Sequence, residues 1–526
     1  MNESFILTEL STWLAQFEQQ QGRKLRVLHI GNIAANGFLN AKFLRRVGVE
    51  ADVLCHDYYH IMAYPEWEEL RIQDDYKKDM LPQFSEQDRR KYQRPRWFVQ
   101  GPLSLCFAYL KAKNAGDEPL AARLWVALDL LLFQDRSKRS LRHWFSRTLW
   151  IEQIKRLFRP LYTALIHAPW IGNSIKKVKR RILPSRNHGG QAIYPEEVQS
   201  FVEEVNGRYK KAFPERQFQF TFDDLEPYYH LKMAWTDLFD HYDIVQCYAT
   251  DPIYGLLFSK KPYVGFEHGT LRVCTSDDNA LYALTALAYR EAAHVFVTNG
   301  DCLEYANKLC MTNFSPMIHP VDVAQHRVRD EVAIAAIRAR YQADLLLFCP
   351  LRHDWDIKGT DKHLRALPNI SKLVSGKVVL VLMNWGADLK KSKALAEILG
   401  ITDQLVWMPP LCRLSMIEMI QASDLVLDQT ILPCFGSTAP QALACGTPVI
   451  MSYHPESTAW IMKEPAPLIT AITEEEIVEG VKRTLDKEWL AQFKEQAARW
   501  IDAYHSPLQA VNQQVAVYRR MTEGTV

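Results

Sequence analysis

The chain has 526 residues, 48% of them apolar, which is more than one hydrophobic core organises and predicts at least two domains. Its 63 basic and 61 acidic side chains nearly cancel, which excludes a nucleic-acid binder that works by broad phosphate neutralisation. Ten cysteines without a CxxC pair or a Cys/His ligand spacing argue against a zinc site or a disulfide framework and for reduced thiols.

Residues 1–21 carry Glu3, Glu9 and Glu18 and no basic segment followed by an apolar one, so no signal peptide is expected. The run Arg26-Val27-Leu28-His29-Ile30 reads as a strand, Gly31-Asn32 as a tight turn, and Phe38, Phe43 and Val47 as one face of a helix. A second strand over 51–55 opens a parallel α/β unit. From 58 to 225 the rhythm of short strand and helix is lost, and 120–133 is apolar but too short and too charged, with Arg123 and Asp129, to span a bilayer. Residues 136–186 hold fourteen Lys or Arg against the single acid Glu152, interleaved with Trp144, Phe145, Trp150, Phe158, Tyr162 and Trp170. That composition suits helices lying on anionic lipid, where each cation contributes about 1 kcal/mol; a plain solvated face is the alternative. Strands resume at 243–247, 262–266 and 294–297.

A second series starts at Leu345, with strands over 345–349, 378–383, 405–408, 425–428 and 448–452 and helices over 389–399, 415–422 and 439–445. The whole reads as α/β, two doubly wound Rossmann-like domains. Residues 1–325 form the first, with a helical basic insertion over 58–225, and residues 326–505 the second. A terminal helix over 506–526 is expected to pack back on the first.

Chemistry concentrates in two places of the second domain. A strand ends at Pro350, Arg352 follows, and Lys358-Gly359 leads into a helix that Thr360 or Asp361 can cap, so a diphosphate would meet two cations at the open end of the strands. Further on, Phe435-Gly436-Ser437-Thr438 precedes a short helix that Gly446 can end. Gly436 admits close backbone approach, Ser437 or Thr438 can cap, and the free first-turn amides form a phosphate cradle. Gln441, early in that helix, can hydrogen-bond a ribose hydroxyl. The pair Asp354 and Asp356 between the two cations reads as polar loop and not as a metal site.

Arg352 with Lys358-Gly359, Ala422-Ser423-Asp424, and Phe435-Gly436 with Gln441-Ala442-Leu443-Ala444-Cys445-Gly446-Thr447-Pro448-Val449-Ile450 follow one another as in the retaining GT-B glycosyltransferases of family 4 (glycosyl transferases group 1), which this chain resembles. The resemblance implies a GT-B fold with two domains facing a cleft. It implies transfer of a sugar from a nucleotide-diphosphate sugar, UDP- or GDP-linked, to an acceptor hydroxyl with retention, without a metal or another cofactor. It places Arg352, Lys358, Gly359 and the Phe435-Gly436 loop on the donor diphosphate, and His268, in Glu267-His268-Gly269, beside the transferred sugar. Gly31, Asn32, Asn36 and Gly37 then form the loop facing the diphosphate, and Asp251, Glu267 and Gly269 shape the acceptor side. The chain departs from the family's Glu-x7-Glu pair: Pro433 and Gln441 occupy those positions, so sugar contacts are expected from Asp428 or Gln429. The partners implied are a nucleotide-sugar, a glycan or lipid-linked acceptor and the anionic inner face of the cytoplasmic membrane, with a role in bacterial envelope or surface polysaccharide assembly. Two alternatives stand beside it: a weak or inactive sugar-nucleotide-binding subunit, and a GT-B sugar-nucleotide epimerase.

Overall fold

The computed structural model describes residues 3–56, 61–72, 92–132, 185–186, 192–193, 195–276 and 279–524. Two parallel sheets organise them. The first contains β1 (Arg26–Ile30), β2 (Glu50–Cys55) and β3 (Phe98–Gln100); a separate antiparallel pair, β4 (Ser185–Arg186) and β5 (Ala192–Ile193), lies outside it. It continues with β6 (Ile244–Tyr248), β7 (Val264–Phe266), β8 (His294–Val297) and β9 (Phe314–Pro316), in the order β3-β2-β1-β6-β7-β8-β9. The second contains β10 (Leu345–Cys349), β11 (Val378–Met383), β12 (Leu405–Met408), β13 (Leu425–Leu427), β14 (Val449–Met451) and β15 (Ile469–Thr470), in the order β12-β11-β10-β13-β14-β15. The central strands, such as Leu345-Leu346-Leu347-Phe348-Cys349, are buried at every residue because helices cover both faces of each sheet.

In each sheet the strand order reverses once. β1 pairs in parallel with β2 on one side and β6 on the other, with Val27 opposite both Ala51 and Ile244. β10 likewise pairs with β11 and β13. The crossovers leave such a strand in opposite directions, and a crevice opens beyond its carboxyl end. The loops that follow β1, β6, β10 and β13 therefore sit at the two crevices.

The last two helices cross between the domains. Lys487–Tyr504 buries Phe493, Ala497 and Trp500 in the second core, and Pro507–Thr522 packs on Glu3–Gln21 and Asn36–Arg46 of the first. There Gln514 Oε1 accepts from Gln246 (3.0 Å) and Tyr518 Oη donates to Gln246 Oε1 (2.6 Å), a buried polar join between the terminal helix and the first sheet.

Three edge strands, β3, β9 and β15, were not anticipated; two or three residues give no readable period. β3 also shows that 58–225 is not solely helical. The basic tract 136–186 lies outside the described residues except for Ser185–Arg186. Among the described residues no helix is long and apolar enough to cross a membrane.

Five imidazoles, of His29, His326, His353, His363 and His505, are buried in these cores, and burial depresses each pKa from 6.5 to about 3 or 4. The unfolded chain then binds more protons than the folded one between those values. Their stabilisation is complete above pH 6.5 and lost as pH falls towards 4, by up to about 1.4 kcal/mol per imidazole and pH unit. Buried Glu267 and Asp428, whose pKa values are raised by burial, act in the opposite sense but are outnumbered. The melting temperature is expected to drop steadily from pH 7 to pH 4.5; a flat profile would contradict this burial.

Candidate active site

The loop after β10 is held rigidly from below. His353 Nδ1 meets Ser392 Oγ at 2.9 Å, its Nε2 meets the Met383 carbonyl at 3.0 Å, and its backbone N–H donates to the Trp385 carbonyl at 2.9 Å. Gly386 (φ +118°) lies so close to the His353 backbone that a Cβ there would collide with it. Arg352 stands on this base with its side chain 43% exposed, leaning on Asp354 at 3.0 Å. Asp354 is a turn residue: its Oδ1 accepts from Ile357 N–H and its carbonyl from the N–H groups of Lys358 and Gly359. Among the described residues no three His, Cys, Asp or Glu side chains are grouped to hold a metal ion.

Lys358 Nζ donates to the side-chain oxygen of Gln429. The carbonyl of Lys358 accepts from Thr430 N–H (2.9 Å) and that of Gly359 from Thr430 Oγ1 (3.2 Å), so the loops after β10 and β13 are knitted together. Gly359 is left-handed (φ +68°), and a Cβ there would strike Thr430. Neither Thr360 nor Asp361 caps the helix Thr360–Ile370. The chain enters it from left-handed Gly359, which places Thr360 already inside the first turn with a buried, unpaired hydroxyl, and Asp361 turns to Arg365 at 3.5 Å.

Beyond β13, Asp428 and Gln429 are both buried. Asp428 Oδ1 accepts the Gln429 N–H at 2.8 Å; burial raises the Asp428 pKa while nearby Lys358 opposes the rise. Gln429 Nε2 donates to the carbonyls of Leu432 (2.9 Å) and Cys434 (2.6 Å) and so shapes the turn that carries Phe435. The Phe435 ring packs on Tyr453, Trp500 and His505 with centroids 5.6–5.9 Å away. A Cβ at Gly436 would stand in open space. Ser437 is already α-helical (φ −80°, ψ −20°), not extended as a side-chain cap requires, so neither Ser437 nor Thr438 caps the helix Thr438–Ala444. The N–H groups of Ser437, Thr438 and Ala439 donate to no acceptor among the described residues. Gly446 (φ +71°) follows the end of that helix.

Gln441 is buried, and its Oε1 accepts from Arg413 Nη1 at 2.7 Å. Arg413 also grips Glu68 of the first domain through Nε (2.9 Å) and Nη2 (3.0 Å). Glu68 lies on the helix Pro65–Glu69, which packs against Arg413–Ala422.

In the first domain Gly31 (φ +92°) passes so close to Asp251, after β6, that a Cβ would collide with its carboxylate, and Gly37 lies against the Gly31 carbonyl. Asn32 is fully buried: Oδ1 accepts from Phe38 N–H (2.7 Å) and Nδ2 donates to the Ala63 carbonyl (2.9 Å). Asn36 Nδ2 donates to Ile33 O at 3.0 Å. The Asn36 amide thus serves the loop itself, and that of Asn32 also ties the loop to the turn Ile61–Ala63. Between them Ala34 and Ala35 are left-handed (φ 48° and 61°), a conformation that costs a non-glycine residue about 1–2 kcal/mol and is typical of functional loops.

After β7, Glu267 is fully buried with its Oε1 accepting from Leu271 N–H at 3.3 Å; it braces the turn Thr270–Val273 from beneath. His268, partly exposed, stacks on Tyr248 (5.7 Å, 22°) and on His319 (6.1 Å, 25°). Burial, with His319 beside it, lowers its pKa to about 3, so it is neutral at pH 7, and its Nε2, itself buried, has no partner among the described residues. The Tyr248 hydroxyl under it is fixed by His29 (2.8 Å), Asn40 (2.9 Å) and Gln246 (2.9 Å).

Two carboxyl-end loops of the domains meet: Trp460 Nε1 donates to the Gly300 carbonyl at 3.0 Å, and Gly300 abuts the backbone of Ser457. Arg272, bound to Asp301 at 2.7 and 2.8 Å, projects its field onto Cys434 of the second domain, as Lys358 does. It is a cleft cation to which the sequence assigns no role, because nothing local separates it from a surface arginine. Lys358, the 428–437 loop and Arg272 are thereby brought together, with His268 on the same loop as Arg272, while Asn32, Glu267 and Gln441 have side-chain groups already engaged within the protein.

Removing one partner of the buried Glu68–Arg413 pair leaves the other charge uncompensated, so Glu68→Ala is expected to cost about 3–5 kcal/mol. The double change Glu68→Leu with Arg413→Met should recover most of it. Chemical denaturation checks both, and an unshifted midpoint for Glu68→Ala would contradict a stabilising role for the pair between the domains.

Comparison with known proteins bears on the second domain most directly. Residues 341–503, under a third of the chain, match the family model described as Glycosyl transferases group 1. The D-inositol 3-phosphate glycosyltransferase of Mycolicibacterium smegmatis is 34% identical over 100 residues, 18% of this chain and 22% of that protein. Its counterpart in Mycobacterium marinum is 30% identical over 139 residues, 26% of this chain and 29% of that one. The match thus spans under a third of the length of these relatives. The structure of a point mutant of S. aureus TarM in complex with Fondaparinux, alpha-GlcNAc-glycerol and UDP is similar over 94% of this chain and 99% of that one, with a TM-score of 0.52 and 10% identity. The likeness shows the fold: GT-B, two Rossmann-like domains facing each other.

Proposed function

We propose that the chain is a retaining, family 4-like glycosyltransferase that moves a sugar from a UDP- or GDP-sugar to an acceptor hydroxyl. What supports this reading is Lys358, held by Gln429 beside the turn that leads to the unpaired amides of 437–439, with Arg272, on the same loop as His268, reaching that turn from the first domain. The leaving diphosphate gains negative charge as the anomeric bond breaks. Arg352, Lys358 and those amides then stabilise the transition state more than the ground state. These fixed charges supply what a divalent cation would, so the reading requires none.

In this reading the departing phosphate accepts the acceptor's proton, and His268 stands beside the transferred sugar and the acceptor. Gln441, its oxygen held by Arg413, has its amide nitrogen to donate to a ribose oxygen. Asp428, buried at the end of β13, is the carboxylate nearest Lys358 in this site. Gly31, Asn32, Asn36 and Gly37 shape the loop opposite the diphosphate; Asp251 beside Gly31, with Glu267 and Gly269 under His268, set the acceptor side.

The acceptor is a glycan or lipid-linked hydroxyl in bacterial envelope or surface polysaccharide assembly, and the protein works in the cytoplasm on the inner face of the membrane. The support is the composition of 136–186, fourteen cations and one acid among aromatic residues. A second reading, a sugar-nucleotide-binding subunit with weak or no catalysis, is favoured by Pro433 and by the engagement of Gln441 with Arg413.

A panel of UDP-, GDP- and ADP-sugars with membrane lipid extract separates the two: transfer supports the enzyme, binding without transfer the subunit. Lys358→Ala is expected to lower kcat/KM about 100- to 1,000-fold, and an unchanged rate would remove the site assignment. Flotation with anionic vesicles should be lost on deleting 136–186; retained flotation would refute the membrane role.

A further inference from the structure

We propose that Gln429 is a positioning residue of the diphosphate site: it presents Lys358 with its charge undiminished and holds the turn that leads to Phe435 and Gly436 in the same frame. The proposal rests on the function proposed above and deepens it. Gln429 is 2% exposed and its side chain is fully engaged. Its Oε1 accepts from Lys358 Nζ, and its Nε2 donates to the carbonyls of Leu432 and Cys434 and contacts Cys434 Sγ at 2.8 Å. Its own N–H donates to Asp428 Oδ1, and its carbonyl accepts from Ser452 N–H at 2.7 Å.

The orientation of that amide is forced by its neighbours. A lysine ammonium only donates and a peptide carbonyl only accepts, so the oxygen must face Lys358 and the nitrogen the turn. The site demands one acceptor and two donor protons at the reach of a two-carbon stem. A carboxylate cannot donate to the carbonyls, and asparagine is one carbon too short. The neutral amide also fixes Lys358 by a hydrogen bond without cancelling its charge, which leaves the cation for a diphosphate. A glutamate here would form an ion pair with Lys358 and set its second oxygen against two carbonyls. Once protonated, it would again offer one acceptor and one donor. The titratable and charged groups around position 429 are Lys358 from the loop after β10, Asp428 beside it, Cys434 on the turn, His363 on the helix Thr360–Ile370, and Arg272 with Asp301 from the facing domain.

The test is binding of UDP, GDP and ADP to the full-length protein by calorimetry at pH 7.5 and pH 5.5, for the wild type, Gln429→Glu, Gln429→Met and Lys358→Ala, with melting curves confirming that each is folded. At pH 7.5 Gln429→Glu is expected to bind about tenfold or more weakly and Gln429→Met to be affected less. The ratio of Gln429→Glu to wild type should shrink at pH 5.5, whereas that of Gln429→Met stays constant, a signature that a merely structural role would not produce. If Lys358→Ala loses binding while both Gln429 variants match the wild type, or if Glu and Met weaken binding equally at both pH values, the positioning role is overturned alone. If the wild type binds no nucleoside diphosphate, or Lys358→Ala binds as well as the wild type, the proposed function falls and this role with it. Should Gln429→Glu not fold, Gln429→Met decides: wild-type affinity, or the same fold-loss in a Lys358→Ala background, overturns the role, and a loss that vanishes in that background supports it.

Discussion

Parallel pairing is the constraint from which the rest of this structure follows. Where the strand order reverses, neighbouring parallel strands are followed by crossovers on opposite faces, and a crevice opens beyond their carboxyl ends. β1, next to β6, and β10, next to β13, stand at those reversals. Their sequences spend nearly every side chain on burial, so polar chemistry is displaced to the loops that leave them and to the loops after β6 and β13. Arg352, Lys358, Gly31 and Asp251 all stand on these four connections, and His268 stands on the one that follows the neighbouring strand β7.

Those loops are not loose. Thr430 bonds the carbonyls of Lys358 and Gly359, His353 anchors the base of Arg352, and Asn32 ties off the loop opposite. Polar side chains are used here as fasteners, which is why several residues suited to touching a ligand turn inward. Glu267 closes a turn and Gln441 completes the shell of Arg413. The identity of Gln441 follows from that shell. Arg413 is already balanced by Glu68, and a second carboxylate would place surplus negative charge in a buried interface, whereas a neutral amide supplies the remaining acceptor.

The domain relationship rests on the same economy of buried charge. Arg413 of the second domain is satisfied by a helix of the first, the chain crosses back through Ser506, and the terminal helix is joined to β6 through Gln246. Gln246 in turn bonds Tyr248, which lies under His268. The position of the cleft histidine is therefore linked, by direct contacts, to the helix that closes the chain.

Much of this was legible in the sequence. Apolar runs of five or six residues separated by helical spacing determined two Rossmann-like domains, because strand burial and helix amphipathicity are local in pattern. The order Arg352, Lys358-Gly359, Phe435-Gly436 and Gly446 pointed to the loops that follow β10 and β13, because a polar or glycine-bearing turn after an apolar run is a local signal. What tertiary structure alone decided is how each polar atom is used. The caps expected of Thr360 and Ser437 did not form because the entering backbone is left-handed in one case and already helical in the other. Arg272 enters the cleft only through the approach of the second domain, and Gln429, Gln441 and Glu267 acquire their partners from segments distant in the chain or from a turn. A hydrogen bond depends on direction and on distances of tenths of an ångström, and no spacing along the chain encodes these; the strand pattern, which depends only on which side of a sheet a residue faces, does not need them.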